Sequence, residues 1–292
     1  MSLLSIRNLS AVSDRDGGTP ILRGVSLDLA PGEVIGLVGE SGAGKSTISK
    51  AVLGMLPRTV RITKGSAIFS GRDLLSLSSR ELRKITGSEI TLIPQDPMTA
   101  LNPGRRIESQ LTDGLRLKRG MSSTDARRRG LELLEEVHIR DPERVMRAYP
   151  HELSGGMRQR VLIAAAFAMD PKLVVADEPT TALDVTVQKQ ILRLIRAMQA
   201  KHGTSVIFVT HDLGVVAQIC DRVTLLYGGM VVEAGATAEI MERPRHPYMQ
   251  ALLAAGPRYD RPDRALAPVP ESIFAGLREE LASFDREEVR HG

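Results

Sequence analysis

Residues Gly39 to Ser46 read GESGAGKS, two glycines separated by four residues and followed at once by lysine and serine. This spacing fits G-x-x-x-x-G-K-[ST], in which glycines let the backbone fold into a nest of N–H groups around a phosphate. Gly39, Gly42 and Gly44 supply the bend, Lys45 has the reach for a β- or γ-phosphate, and Ser46 offers a hydroxyl to Mg2+. Leu153 to Arg160 read LSGGMRQR, where Ser154 is placed as an N-cap and Gly155-Gly156 leave a helix N-terminus bare enough for an anion to approach. Taken alone, that trio is an ordinary capped turn. Asp177-Glu178 follow the apolar run Leu173 to Ala176, which puts two carboxylates at the end of a buried strand. Side chains of neighbouring residues diverge, so the two acids take different work: Asp177 in a metal shell, Glu178 as the base that deprotonates an attacking water.

These groups need a frame. Val34 to Val38 is a short apolar run of buried-strand type and Ser46 to Leu53 can open a helix, so the glycine loop sits between strand and helix. Before it, Leu3 to Ser10 and Val25 to Leu29 read as antiparallel strands around an Asp16-Gly17-Gly18 turn. After it come a break at Gly65-Ser66, a strand near Ala67 to Ser70, a helix over Ser78 to Thr86 and a strand over Ile90 to Pro94. From about 96 to 160 the pattern changes to an inserted helical subdomain, with helices over Leu111 to Lys118, Thr124 to Val137 and Pro142 to Tyr149. An apolar helix over Met157 to Met169 follows the two glycines. Alternation then resumes with Lys172 to Ala176, Val187 to Lys201 and Ser205 to Val209, which predicts βαβ units and a mainly parallel sheet that binds its ligand at the carboxyl ends of the strands. Val223 to Tyr227 and Val231 to Ala234 read as a hairpin about Gly228-Gly229. Beyond Pro244 lies an extension, irregular over Pro257 to Pro270. Ile273, Leu277, Leu281 and Phe284 then fall at helical spacing, on a helix that docks on the body or on a partner.

Composition bounds the class. The 292 residues hold 39 Lys+Arg against 35 Asp+Glu, a net charge of +4 that is too small to argue for nucleic acid. Arg127-Arg128-Arg129 lie near Asp125, Glu132, Glu135 and Glu136, as on a solvated helix face. Cys220 is the only cysteine, which excludes an intrachain disulfide and fits a reducing compartment. The longest apolar stretch, Val161 to Met169, is too short to span a bilayer, and Arg7 interrupts the N-terminus before the apolar core of a signal peptide can form.

Taken together, the motifs resemble the nucleotide-binding subunits of ABC transporters over about residues 3–250. The resemblance implies a P-loop NTPase core of ABC type, α/β, with an N-terminal antiparallel β subdomain and the inserted helical subdomain. It makes Gly39, Glu40, Ser41, Gly42, Ala43, Gly44, Lys45, Ser46 and Thr47 the ATP-binding loop, and Gln95 the glutamine that links Mg2+ and water to the helical subdomain. Ser154, Gly155 and Gly156 become the signature that contacts the ATP of a partner subunit, Ala182-Leu183-Asp184 the D-loop, and His211 after Val209-Thr210 the switch that touches the γ-phosphate. Ser46, Gln95 and Asp177 would hold Mg2+, and Glu178, His211 and Gln95 would serve hydrolysis. In a head-to-tail dimer each ATP would lie between one subunit's P-loop and the other's signature, the second helix N-terminus completing the clamp on its phosphates.

Two stretches narrow the resemblance to the dipeptide, oligopeptide and nickel importer ATPases: QDPMTALNP from Gln95 to Pro103, and HPYMQALL from His246 to Leu253; DEPTTALD from Asp177 to Asp184 agrees. The division implied is an ATPase domain over 1–243 and an extension over 244–292. The partners implied are a second ATPase subunit, the same chain or a paralogue, two transmembrane permease subunits and an extracytoplasmic solute-binding protein. The chain would sit peripherally on the cytoplasmic face of the membrane. It departs from the family in lacking an aromatic residue before Phe69 to stack on adenine, which leaves Arg15 or Ile21 for that contact. It also lacks the cysteine cluster of many such C-terminal extensions, so no iron–sulfur cluster is expected. The alternative is a non-transport ABC ATPase of the DNA-repair or chromosome-organising kind, but the interval from Lys45 to Ser154 carries no sustained heptads. A two-cassette translation factor would need a second P-loop. Among cargoes, peptide leads over nickel, glutathione and opine-like solutes.

Overall fold

The computed structural model describes residues 2–181, 183–255 and 268–291. Its elements in order are β1 (Leu4–Ser13), β2 (Thr19–Leu29), β3 (Val34–Val38), α1 (Lys45–Leu53), β4 (Val60–Phe69), β5 (Arg72–Asp73), α2 (Ser79–Ile85), β6 (Ile90–Ile93), α3 (Pro97–Ala100), α4 (Ile107–Arg119), α5 (Ser123–Glu136) and α6 (Pro142–Arg147). They continue with α7 (Gly155–Phe167), β7 (Leu173–Asp177), α8 (Val185–His202), β8 (Ser205–Thr210), α9 (Leu213–Ile219), β9 (Arg222–Tyr227), β10 (Met230–Ala236), α10 (Thr237–Glu242), α11 (Pro247–Ala255) and α12 (Glu271–His291). The chain forms two compact units, one of Met1–Leu29, Val34–Leu75 and Val209–Gly292, the other of Ala30–Glu33 and Ser76–Phe208.

In the first unit, β2-β1-β4-β5 form an antiparallel sheet. Alternation places Leu4 and Ile6 of β1 and Val25, Leu27 and Leu29 of β2 in the core, with Leu4 opposite Leu29. The expected break at Gly65-Ser66 is instead the interior of β4. Gly65 adopts φ +99, and a Cβ there would come within 2.5 Å of the Asn8 carbonyl, so this glycine absorbs a register shift against β1. It is a β-bulge rather than a strand boundary. β2 likewise begins at Thr19, well before Val25, because the whole edge of β1 pairs with it. The strand that carries the glycine loop, β3, is buried at all five positions and runs parallel to β9, which turns back through Gly228-Gly229 into β10.

The C-terminal helix α12 docks on this same unit. Leu277 is buried, Phe284 approaches Gly24, Leu281 lies against Gly228, and Asp285 pairs with Arg23 at 2.7 Å. The expectation of an irregular stretch over Pro257 to Pro270 falls almost wholly outside the described residues.

In the second unit β6 and β7 pair in parallel, in the order β8-β7-β6. α7 is apolar nearly all round, and Val161, Ile163, Ala164 and Phe167 are buried, as a helix with no polar stripe requires. α4, α5 and α6 bury Leu111, Leu115, Leu133, Val145 and Met146. Their outer faces carry ion pairs: Arg128 with Asp125 and Glu132, and Arg127 with Glu143. A tighter cluster ties the end of α5 to the end of α8. His202 lies between Glu136 at 2.9 Å and Asp170 at 3.0 Å, and Arg129 and Lys201 also meet Glu136. Among the described residues no helix is long and apolar enough to cross a membrane.

Candidate functional site

The glycine loop leaves the carboxyl end of β3 and enters α1. Gly39 stands at φ +154 with its α-carbon so close to strand β9 that a Cβ would lie 2.3 Å from the Leu226 carbonyl. Gly44, at φ +98, is the N-cap of α1 and provides no side-chain cap; the first turn of α1 holds no acidic residue. That helix start therefore presents backbone donors and a positive dipole end with no carboxylate of its own to compete. Buried Lys45 donates to the Gly39 carbonyl at 2.6 Å and the Glu40 carbonyl at 2.8 Å, so its ammonium group lies across the loop. A cradle that a side chain at Gly39 would fill, a bare helix start and an ammonium across it fit a phosphate chain. Of the two residues considered for the base, Ile21 is brought to the loop, with its carbonyl 3.2 Å from a Cβ placed on Gly44.

His211 follows β8 in the same unit and is exposed; next to it Asp212 caps α9 by accepting the Gly214 and Val215 N–H groups.

The second unit assembles the hydrolytic candidates. Parallel pairing sets Ile93 opposite Ala176, so Gln95 and Glu178 each lie two residues beyond that pair. They meet there: the Gln95 amide Nε2 donates to the Glu178 carboxylate at 3.4 Å. The Thr181 hydroxyl donates to the same Oε2 at 2.9 Å. Glu178 holds this position in a left-handed backbone, φ +46, a conformation that costs a residue with a Cβ about 1–3 kcal/mol. Asp177 ends β7 one residue earlier.

Ser154 is the N-cap of α7, its hydroxyl accepting the Met157 N–H at 3.3 Å. A Cβ on Gly155 or Gly156 would touch nothing within 4 Å, so that helix start is open on its outer side. Two turns of detail escaped the sequence. Arg158 donates to the Pro150 carbonyl at 2.6 Å and contacts the Met98 sulfur, tying α7 to the segment after Gln95. Gln159, only 1% exposed, donates to the Pro179 carbonyl at 2.9 Å, tying α7 to the turn that carries Glu178. A glutamine inside an apolar helix is the one sequence sign of such a bond. Asp184 caps α8, accepting from Thr186 and Val187 at 3.0 and 2.9 Å, while Ala182 lies outside the described residues.

An antiparallel β subdomain, parallel strands ending in a glycine loop and an acidic pair, and a helical insertion capped by Ser154-Gly155-Gly156 define an ATP-binding cassette. Residues 22–181 match the family described as ABC transporter, and the chain belongs to it. Residues 232–275 match the oligopeptide/dipeptide transporter, C-terminal region. The chain is 46% identical to the dipeptide transport ATP-binding protein DppD of Bacillus subtilis over 278 residues, 94% of this chain and 83% of that protein. It is 49% identical to the peptidoglycan transport ATP-binding protein YejF of Agrobacterium fabrum over 262 residues, 89% of this chain but only 48% of that longer protein. A solved dimeric ATP-binding cassette in a post-hydrolysis state, bound to ADP and Pi, superposes with a TM-score of 0.70 at 30% identity, covering 80% of this chain and 98% of that one. As a member of this family the chain binds ATP and is an ATPase of an ABC importer.

Proposed function

We propose that this subunit powers the uptake of peptides, working as half of a head-to-tail ATPase pair on two membrane-embedded permease subunits fed by an extracytoplasmic binding protein. The cargo reading is supported by the C-terminal region, matched over residues 232–275, and by the peptide-transport names of the relatives. The pairing is supported by the open N-terminus of α7, which has room for an anion supplied from outside the chain. On this reading residues 1–243 hydrolyse ATP, residues 244–292 are the extension, and the subunit lies on the cytoplasmic face of the membrane.

The observation that carries the chemistry is the convergence of Gln95 and Thr181 on one oxygen of Glu178. The glycine loop and Lys45 bind the β- and γ-phosphates and exclude other orientations. Ser46, Gln95 and Asp177 would hold Mg2+, which when bound neutralises charge building on the phosphate oxygens. Glu178 takes a proton from water as the water oxygen bonds to the γ-phosphorus and the bond to the β-phosphate bridge breaks, giving ADP and phosphate. Gln95 and Thr181 fix the carboxylate for that transfer, and His211 senses the γ-phosphate.

The test is reconstitution of the pair with its permeases in vesicles. ATP hydrolysis should rise when binding protein loaded with a di- or oligopeptide is added, and labelled peptide should accumulate inside. Stimulation by nickel-loaded binding protein and none by peptide would overturn the cargo assignment.

A further inference from the structure

Arg23 lies on β2, between the C-terminal helix and the turn that flanks the glycine loop, and its side chain is only 12% exposed. One residue serves three places. Its Nε and Nη2 donate to the two carboxylate oxygens of Asp285 on α12, at 2.7 and 3.0 Å, a bidentate pair formed between positions 262 residues apart. Its Nη1 donates to the Gly228 carbonyl, and its backbone N–H donates to the Gly229 carbonyl at 2.8 Å. A cation so little exposed costs free energy unless it is paired, so the Asp285 carboxylate is what keeps the guanidinium folded against the Gly228 carbonyl.

The turn that Arg23 holds is a wall of the glycine loop. The Gly229 N–H donates to the Ala43 carbonyl at 3.2 Å, and a Cβ placed on Gly39 would lie 2.3 Å from the Leu226 carbonyl and 2.9 Å from the Ala43 Cβ. At the other end of the loop, a Cβ on Gly44 would meet the Leu22 side chain at 2.7 Å and the Gly229 α-carbon at 3.4 Å. The loop is thus packed without slack between β2 and the β9–β10 turn. α12 covers the outer side of that same turn: Leu281 lies 2.5 Å from where a Cβ on Gly228 would be, and Phe284 lies 3.0 Å from where one on Gly24 would be. His246 Nε2 of the extension reaches Glu280 of α12 at 3.3 Å. Burial of Leu277 and packing of Leu281 and Phe284 would dock the helix without any charge, so the ion pair needs a reason of its own.

We propose that Arg23 and Asp285 are positioning residues for the phosphate loop: the C-terminal helix, through this ion pair, fixes the Gly228-Gly229 turn against the loop and thereby sets the loop's affinity for nucleotide phosphate. The proposal rests on Gly39 to Thr47 being the ATP-binding loop. A loop whose wall is loose must be ordered at the moment of binding, and that cost appears in affinity rather than in the chemical step.

Steady-state hydrolysis of Mg2+-ATP by the full-length Asp285→Asn chain should show KM raised about three- to tenfold with kcat within about twofold, and equilibrium titration with ATP should show the same loss of affinity. Asp285→Glu keeps the charge and should recover most of that loss. Arg23→Lys removes the fork that reaches carboxylate and carbonyl together, so it should raise KM to a similar degree, and the double variant Arg23→Lys with Asp285→Asn should be no worse than the poorer single one. Glu271→Gln breaks an ion pair within α12, to Arg278, that does not touch Arg23, and should keep a wild-type KM. A merely structural pair would lower the melting temperature and leave KM alone; that result for Asp285→Asn, additive effects in the double variant, or an equal rise of KM in Glu271→Gln would overturn the positioning role. Lys45→Ala separates the two readings: if it loses ATP binding while Asp285→Asn keeps a wild-type KM, only the Arg23–Asp285 proposal falls. ATP affinity retained in Lys45→Ala would instead remove the loop assignment, and the proposal with it.

Discussion

Glu178 is held by its neighbours in a conformation its own backbone resists, at φ +46, with its carboxylate fixed by Gln95 and Thr181. On the base role proposed for it, Glu178→Gln, which keeps the shape, should leave ATP affinity near wild type and lower kcat by about two to four orders of magnitude. Equilibrium titration and single-turnover hydrolysis would check both; wild-type turnover would remove Glu178 from the role. Thr181→Val deletes only one hydrogen bond to that carboxylate, so kcat should fall about three- to tenfold with KM unchanged. The placement of the motif residues was legible: a lysine after the second glycine lies at the start of α1, and the acid pair lies at the end of β7. Thr181 and Gln159 were not. Their hydrogen bonds depend on the turn after β7, which brings a hydroxyl and a carbonyl to places that sequence spacing does not reveal.

Elements were legible where burial dominated their pattern. β3, β7 and β8 read as apolar runs because they are buried on both faces, and the long helices α5 and α8 showed their periodicity. The four-residue α3, the seven-residue α9 and the six-residue α10 are too short to display a period and passed unassigned. Gly65 misled for a different reason, since a glycine that ends a strand and one that bulges it look alike in one dimension. At Gly39 the reading and the structure agree on need: the backbone is left-handed and the Leu226 carbonyl stands where a Cβ would go. Gly39→Ala should therefore displace the β3–α1 connection, costing about 2 kcal/mol or more of stability and most of the ATP affinity. Urea unfolding alongside nucleotide titration would measure the two losses.

For the molecule as a whole, the cluster joining the ends of α5 and α8 carries a pH signature. Burial opposes ionisation of Glu136, yet hydrogen bonds from His202, Arg129 and Lys201 outweigh it and bring its pKa to about 2, from an ordinary 4.5. A carboxylate whose pKa is depressed on folding contributes stability in full above the unfolded value and loses it as pH falls from about 4.5 through about 2. The contribution is on the order of 3 kcal/mol. Glu136→Gln should be less stable than wild type by a constant margin above pH 5, and the margin should shrink steadily in acid; a margin independent of pH down to about 3 would exclude this linkage.

The buried amide of Gln159 reaches from α7 to the Pro179 carbonyl beside Glu178. If the signature serves the partner's ATP and Glu178 its own, this one bond joins two different reaction centres inside a single chain. Neither centre could then change state in silence: firing at one would be felt as a displacement at the other. Hydrolysis should accordingly rise with ATP concentration more steeply than a hyperbola, and Gln159→Leu should bring the Hill coefficient down toward 1 while each centre remains competent. Cooperativity would then be a property of one chain's interior as much as of the contact between two.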